Sequence, residues 1–313
     1  MKKGDIKAMI MPDQLNKGDK VGLVCPSSPV SRERILACKA FVEGLGYEVT
    51  IGKACYETLH GYLAGSASHR ARDINKMFAD PTIKAIFCVR GGYGSSQLMD
   101  QLDYDVIARN PKIFVGYSDI TNLNVAFHTL CDMVTFHGPM VSSNMLEHYD
   151  EYTKTCFEAA IHMKTELVLQ NPESEPFKVL AHGIGKGTIV GGNLSLMMNL
   201  LGTFYAPDFK GKILFIEDVY ESIPRIHRML DQLRILHVFD QVAGILIGDF
   251  SECSKEDQNT YSIDDFMEEY FCKMTIPVIS RVKCGHCFPT ATIPLGFTCS
   301  MDTKESVVKF TQC

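Results

Sequence analysis

The first half of the chain alternates short apolar runs with amphipathic stretches. Lys20-Val21-Gly22-Leu23-Val24-Cys25 is continuously apolar after its lysine, ends at Pro26, and predicts a buried strand. Ser31 follows as the N-cap of a helix with Ile35, Val42 and Leu45 on its apolar face and Gly46 as its stop. Residues 47–51 predict a second strand, 66–78 a second helix and 84–89 a third strand, which runs into Arg90-Gly91-Gly92-Tyr93-Gly94. Residues 112–116 predict a fourth strand, and a helix with Ile120, Leu123, Phe127 and Leu130 on one face follows; 133–136 is a candidate fifth strand. Continuous apolar strands separated by helices imply a parallel sheet covered on both faces. Such sheets bind ligands at the carboxyl ends of their strands.

The pattern changes after about residue 164. Asn171-Pro172, Pro176, Gly183, Gly185 and Gly187 read as a linker into a second domain, where 212–216 and 242–247 predict strands and Ile226, Met229, Leu230 and Leu233 one helix face. The 313 residues have room for two domains at ~150 residues each. The expected division is 1–165 for an N-terminal α/β domain, 166–185 for the linker and 186–313 for a C-terminal domain.

Composition narrows the function. Hydrophobic residues make up 46% and charged residues 22%, as in ordinary globular proteins. Net charge is -6 with no basic block, which disfavours nucleic acid as a partner. No apolar run approaches the ~18 residues of a membrane span, and no secretory apolar core follows Met1-Lys2-Lys3-Gly4-Asp5. The 12 cysteines are scattered, several of them in strand-like apolar runs (Cys25, Cys88), as expected of small buried hydrophobes in a reducing cytoplasm.

Four stretches carry candidate chemistry. Gly116-Tyr117-Ser118-Asp119 puts a serine between a strand and a helix N-terminus, where a nucleophile is exposed above a sheet. Taken alone, the simpler reading is that Ser118 or Asp119 caps the helix, and the elbow pattern G-x-S-x-G is only half met because Ile120 stands at its last glycine. The glycine loop after the third strand fits a tight turn or half of an oxyanion hole, but not a dinucleotide fingerprint. Glu217-Asp218 closes an apolar strand, where carboxylates either cap the next helix, near Ser222-Ile223-Pro224, or orient a catalytic histidine. Cys284-Gly285-His286-Cys287 is followed by a proline-broken stretch rather than a helix and has no second ligand pair nearby. Redox and zinc roles are therefore disfavoured, and His286 is free for acid–base work.

Together these stretches resemble the LD-carboxypeptidases, serine peptidases of cell-wall recycling, and the related microcin C self-immunity proteins. The resemblance runs through Gly22-Leu23-Val24-Cys25-Pro26-Ser27-Ser28-Pro29, residues 90–94, 116–119 and Gly191-Gly192-Asn193-Leu194. It continues in Leu201-Gly202-Thr203, residues 211–218, Gly285-His286 and Pro294-Leu295-Gly296. Each piece is weak alone, but their order and spacing are specific. The resemblance implies an α/β protein with a flavodoxin-like N-terminal domain bearing a nucleophile elbow and a smaller, swivelling, β-rich C-terminal domain, paired as a homodimer. It implies Ser118 as nucleophile, His286 as base then acid, and Glu217 as orienter, with the backbone N–H groups of Gly92 and Asp119 as oxyanion donors. No cofactor or metal is expected, the substrate is a cytoplasmic murein peptide, and Arg90 is a weak candidate for holding its carboxylate. Three alternatives remain: an acyl-adenylate-hydrolysing immunity peptidase, an esterase, and a muropeptide-binding module without chemistry. Immunity relatives typically hold adenine against a tryptophan, and this chain has none. That favours release of terminal D-alanine from a murein tetrapeptide.

Overall fold

A computed structural model describes residues 9–162, 165–253 and 261–312; Met1 to Asp5 and Cys313 lie outside them. The first sheet begins with β1 (Lys20–Val24), β2 (Glu48–Ile51), β3 (Ile83–Cys88), β4 (Ile113–Val115) and β5 (Thr135–His137). These run parallel in the order β2-β1-β3-β4-β5, the doubly wound flavodoxin-like order whose switch point lies between β1 and β3. Its helices are α1 (Arg32–Gly44), α2 (Ala67–Ala79), α3 (Tyr104–Arg109), α4 (Thr121–Cys131) and α5 (Glu151–Ile161). The Ser31 and Ser66 side chains accept from the backbone N–H groups of Arg34 and His69, so α1 starts where its capping signal places it, and Ser66, expected as the first residue of the second helix, is the cap of α2. Each cap is worth about 1 kcal/mol.

The second sheet has eight strands, formed by β6 (Glu166–Leu169), β7 (Lys178–Ala181), β8 (Ile184–Asn193), β9 (Ile213–Val219), β10 (Gly244–Ser251), β11 (Val278–Ser280), β13 (Thr298–Asp302) and β14 (Val307–Thr311). Strands β8 to β11 are parallel, and the others flank them antiparallel. Its helices are α6 (Leu194–Leu200), α7 (Ile223–Ile235) and α8 (Ile263–Phe271).

Two features depart from the sequence reading. The stretch 166–185, expected as a linker, carries β6 and β7, both short outer strands of the second sheet. Each holds only three consecutive apolar residues, Leu167 to Leu169 and Val179 to Ala181, shorter than the run that marks a buried strand, so pattern alone passes over them. In addition, β12 (Ile293–Leu295) leaves the C-terminal region and pairs antiparallel with β5, completing the first sheet. It lies at the sheet edge, where Pro294 removes no ladder hydrogen bond that a central strand would need.

Helix α4 lies between the two halves. It packs on β5 and also on β8 and α6, so it is buried well beyond the one apolar face expected of it. Thr121 at its start accepts from the Asn193 N–H at 3.0 Å, and Gly192 lies so close that a Cβ there would meet the Thr121 side chain at 2.7 Å. The start of α4 is thus fixed to the end of β8. Among the described residues no helix is long and apolar enough to cross a membrane.

Candidate active site

Ser118 follows β4 in a single 3-10 turn (Ser118–Ile120) that leads into α4, with φ at 62°. A non-glycine residue in the left-handed region is strained, and this is the geometry of a serine raised on a strand-to-helix elbow. The elbow's missing last glycine has a local explanation. A Cβ on Gly116 would meet the Ile120 side chain at 2.9 Å and Cys88 Cβ at 3.1 Å, so Gly116 supplies the room that Ile120 uses.

The loop after β3 lies beside the serine. A Cβ on Gly91 would stand 3.0 Å from Ser118 Cβ, 3.2 Å from Ser118 Oγ and 3.5 Å from the Asp119 nitrogen. The Gly91 carbonyl accepts from the Ser28 N–H at 3.3 Å, which turns the Gly92 N–H to the other side of that trans peptide. Gly92 has φ at 115° and lies against the Ser28 hydroxyl, which accepts from the Tyr93 N–H at 3.2 Å. The Asp119 side chain binds the neighbouring loops together, accepting from Ser27 Oγ at 2.5 Å and from the Ser95 N–H at 2.8 Å. Burial raises the pKa of this carboxyl, and the Ser27 and Ser95 bonds oppose the rise. Behind it, buried Arg70 donates to the carbonyls of Pro26 and Gly94 and to Gln97 Oε1.

The two acids at the end of β9 divide the alternative readings between them. Glu217 is fully buried, and its Oε2 lies 2.7 Å from His286 Nδ1. Asp218 instead accepts from the N–H and hydroxyl of Ser195 and from Asn193 Nδ2, capping α6 rather than the helix that follows β9. Burial, with the charge of Glu217, pushes the Asp218 carboxyl up to about 6.

His286 sits in the loop between β11 and β12, with Nε2 3.0 Å from Ser118 Oγ and its ring edge-on to Tyr117 at 4.9 Å. The Ser251 hydroxyl donates to its backbone carbonyl. Gly285, with φ at 120°, allows this approach, since a Cβ there would meet Glu217 Oε2 at 2.6 Å. Burial pulls the imidazole pKa down, but the charge and hydrogen bond of Glu217 outweigh it and hold the pKa above the ordinary value. Burial likewise raises Glu217, and the charge and hydrogen bond of His286 more than offset this, leaving it depressed. A carboxylate, an imidazole and a hydroxyl therefore stand in line from the second sheet to the first.

The flanking cysteines take no part in that line. Cys284 and Cys287 are buried free thiols whose pKa values burial raises, which suppresses the reactive thiolate. Among the described residues no group of three His, Cys, Asp or Glu could hold a metal. Arg90 is exposed and lines a cleft of about 440 Å³ with Arg34, Ser31, Ser142 and Glu147, one loop away from Ser118. Arg34 is committed there to Ser142 and Glu147. Ser27, Arg70 and Ser95 escaped the sequence reading. The available signal was a charged Arg70 on the buried face of α2, beside Ala71 and Ile74.

Residues 21–138 match the LD-carboxypeptidase N-terminal domain, and residues 186–301 match the LD-carboxypeptidase C-terminal domain. The chain is 38% identical over 305 residues to the "Probable murein peptide carboxypeptidase" of Bacillus subtilis (strain 168), covering 97% of this chain and 95% of that protein. It is 29% identical to the microcin C7 self-immunity protein of Escherichia coli, covering 94% of each. The muramoyltetrapeptide carboxypeptidase structure from Oxalobacter formigenes superposes with a TM-score of 0.81 at 26% identity, covering 93% of this chain and 97% of that one.

Proposed function

Since the chain belongs to the LD-carboxypeptidase family of serine peptidases, we propose that it hydrolyses the bond between the L-centre of a dibasic residue, meso-diaminopimelate, and the terminal D-alanine of a murein tetrapeptide. The observation that carries this reading is the run of contacts from Ser118 Oγ to His286 Nε2 at 3.0 Å and from His286 Nδ1 to Glu217 at 2.7 Å. A neutral serine needs a base, and the base needs a fixed orientation and a charge to stabilise its imidazolium form.

In this mechanism Ser118 Oγ attacks the L-acyl carbon while its proton passes to His286 Nε2. Negative charge builds on the former carbonyl oxygen, which the N–H groups of Gly92 and Asp119 receive. The tetrahedral intermediate collapses as His286 returns the proton to the leaving amine, and D-alanine departs. Water then enters, gives its proton to His286 and attacks the acyl-serine, releasing the tripeptide and restoring the hydroxyl. Arg90 is the proposed contact for a substrate carboxylate, since it lines that cleft and directly precedes the Gly91-Gly92 turn. The lack of tryptophan supports this substrate over an aminoacyl adenylate. Action in the cytoplasm as a homodimer, with no cofactor, completes the proposal.

A fluorophosphonate probe tests the nucleophile directly. It should label the parent enzyme at Ser118, fail to label Ser118→Ala, and label His286→Ala far more slowly. Labelling of folded Ser118→Ala at the parent rate would refute the assignment. Light scattering that returned a single-chain mass would refute the dimer.

A further inference from the structure

Glu217 uses only one of its two oxygens in the catalytic line. Oε2 binds His286, while Oε1, fully buried, accepts no well-formed hydrogen bond; the Asn193 amide, whose Nδ2 donates to Asp218 Oδ1, is near enough to help depress the Glu217 pKa. A buried carboxylate oxygen without a donor is a costly arrangement. Opposite Oε1 stands His137, the last residue of β5, with its Nε2 4.0 Å away. His137 is itself fully buried, and neither ring nitrogen has a partner. Its ring is held between Tyr117 of the elbow, at 5.5 Å, and Phe215 of β9, edge-on at 5.0 Å. An unused donor and an unused acceptor thus face each other across the junction of the two sheets, about 1 Å beyond bonding distance. Hydrogen bonds of catalytic groups are often long before substrate binds and tighten in the transition state.

We propose that His137 is a positioning residue that donates Nε2–H to Glu217 Oε1 as substrate binds, fixing the carboxylate while His286 takes up the serine proton. This role rests on the serine-hydrolase reading of the site. His137 comes from the first sheet and Glu217 from the second, so the bond forms only when the two halves are correctly seated. His137 is also paired through the backbone with Ile293 of β12, the strand directly after the His286 loop, so the end of that loop is tied to the donor's strand. Burial holds His137 neutral, with its pKa lowered to about 4, which leaves it one ring N–H to donate. The other ionisable groups around Glu217 and His286 are Asp218 on β9, Asp249 on β10, Cys253 just after β10, Tyr117 of the elbow, and Cys284 and Cys287 of the His286 loop; Asn193 of β8 adds a neutral amide.

The sign of the pH effect follows. Without the donor the Glu217 carboxylate is less well satisfied and holds the His286 proton more tightly, so the apparent pKa of the pair rises. In His137→Phe the acid limb of kcat, which reports the substrate-bound enzyme, should move to higher pH by about half a unit or more. A hydrogen bond to a charged group is worth roughly tenfold or more in rate, so kcat should fall at least about tenfold with little change in KM. His137→Gln keeps an N–H donor and should recover much of the rate and return the acid limb towards the parent position. A merely structural role would lower the active fraction without moving the limb. The His286 Nδ1 proton resonance in Ser118→Ala holding the tetrapeptide, with and without His137→Phe, reads the same coupling without turnover and should shift between the two. An unmoved acid limb together with an unmoved resonance in folded His137→Phe would overturn the proposal, as would Gln and Phe variants that behave alike. Failure of the serine-hydrolase reading is separately visible, because the parent enzyme would then not label at Ser118.

Discussion

Gly91 makes the sharpest test of the site's geometry, because its φ lies outside the left-handed region and alanine is permitted by the backbone. The added methyl would stand 3.0 Å from Ser118 Cβ and 3.2 Å from Ser118 Oγ, both inside ordinary van der Waals contact. Ser118 is already in a strained left-handed conformation and packed against His286, so relief requires the elbow to shift by a few tenths of an ångström. A 1 Å misplacement of reacting groups costs on the order of 10²-fold, so this shift alone accounts for about 5- to 10-fold. The methyl also lies 3.5 Å from the Asp119 nitrogen and crowds the space where the oxyanion would form. Loss of one oxyanion donor costs ~10²–10³-fold, and a partial loss brings the expected total to about 10²-fold in kcat, or ~2.7 kcal/mol. Steady-state release of D-alanine, coupled to D-amino-acid oxidase, measures it, with melting temperature checking the fold. Gly44→Ala is the matched control, since nothing lies within 4 Å of its added Cβ at the exposed end of α1. It should leave the kinetics unchanged and stabilise by about 0.4–1 kcal/mol. A folded Gly91→Ala enzyme with kcat within twofold of the parent would refute the packing argument.

Other predictions concern charge and pH. Glu217→Gln removes the charge that holds His286 and should lower kcat by ~10⁴-fold with the fold retained, read by the same D-alanine assay; a loss under tenfold would contradict the orienting role. The raised pKa of His286 places the acid limb of kcat/KM above the ordinary imidazole value of ~6.5, because only the neutral base accepts the serine proton. A limb below that value would contradict the Glu217 coupling. Folding stability should fall on acidification, because burial depresses His128 to about 3 and His137 to about 4, so the unfolded chain takes up these protons first. Between pH 7 and pH 5 each removes about 2 kcal/mol of stability and the loss continues down to its folded pKa, while the raised Asp218 carboxyl acts in the opposite direction, and urea unfolding of His128→Leu should show the smaller pH slope. Activity should survive removal of divalent cations by a chelator, and its loss would contradict nucleophile activation by His286 alone.

The parts of this molecule legible in the sequence are those with a strong local signal. Strands β1, β3 and β4 are covered on both faces, so they read as continuous apolar runs, and Ser31 marks α1 by capping. Strands β13 and β14 alternate half-buried with buried residues and carry Ser300 and Lys309, so no such run exists there. β12 takes its place in the first sheet only through long-range pairing to β5, and its proline argues locally against a strand. The site shows the same limit. Ser118 read more simply as a cap, and Glu217 could not be told from Asp218, because both decisions depend on His286, 168 and 69 residues further along the chain. The family resemblance brought these residues together, and the contacts of Asp218 with Ser195 then account for the acid left over. Arg70 and His137 gave little local sign, since a single polar residue in an apolar pattern does not reveal what faces it.

Mass spectrometry of the purified enzyme incubated with L-Ala-γ-D-Glu-meso-diaminopimelate-D-Ala tests the central claim most directly. The account predicts release of free D-alanine with the matching tripeptide, at a rate that Ser118→Ala abolishes. An intact tetrapeptide, alongside cleavage of an aminoacyl-sulfamoyl adenosine by the same preparation, would contradict it.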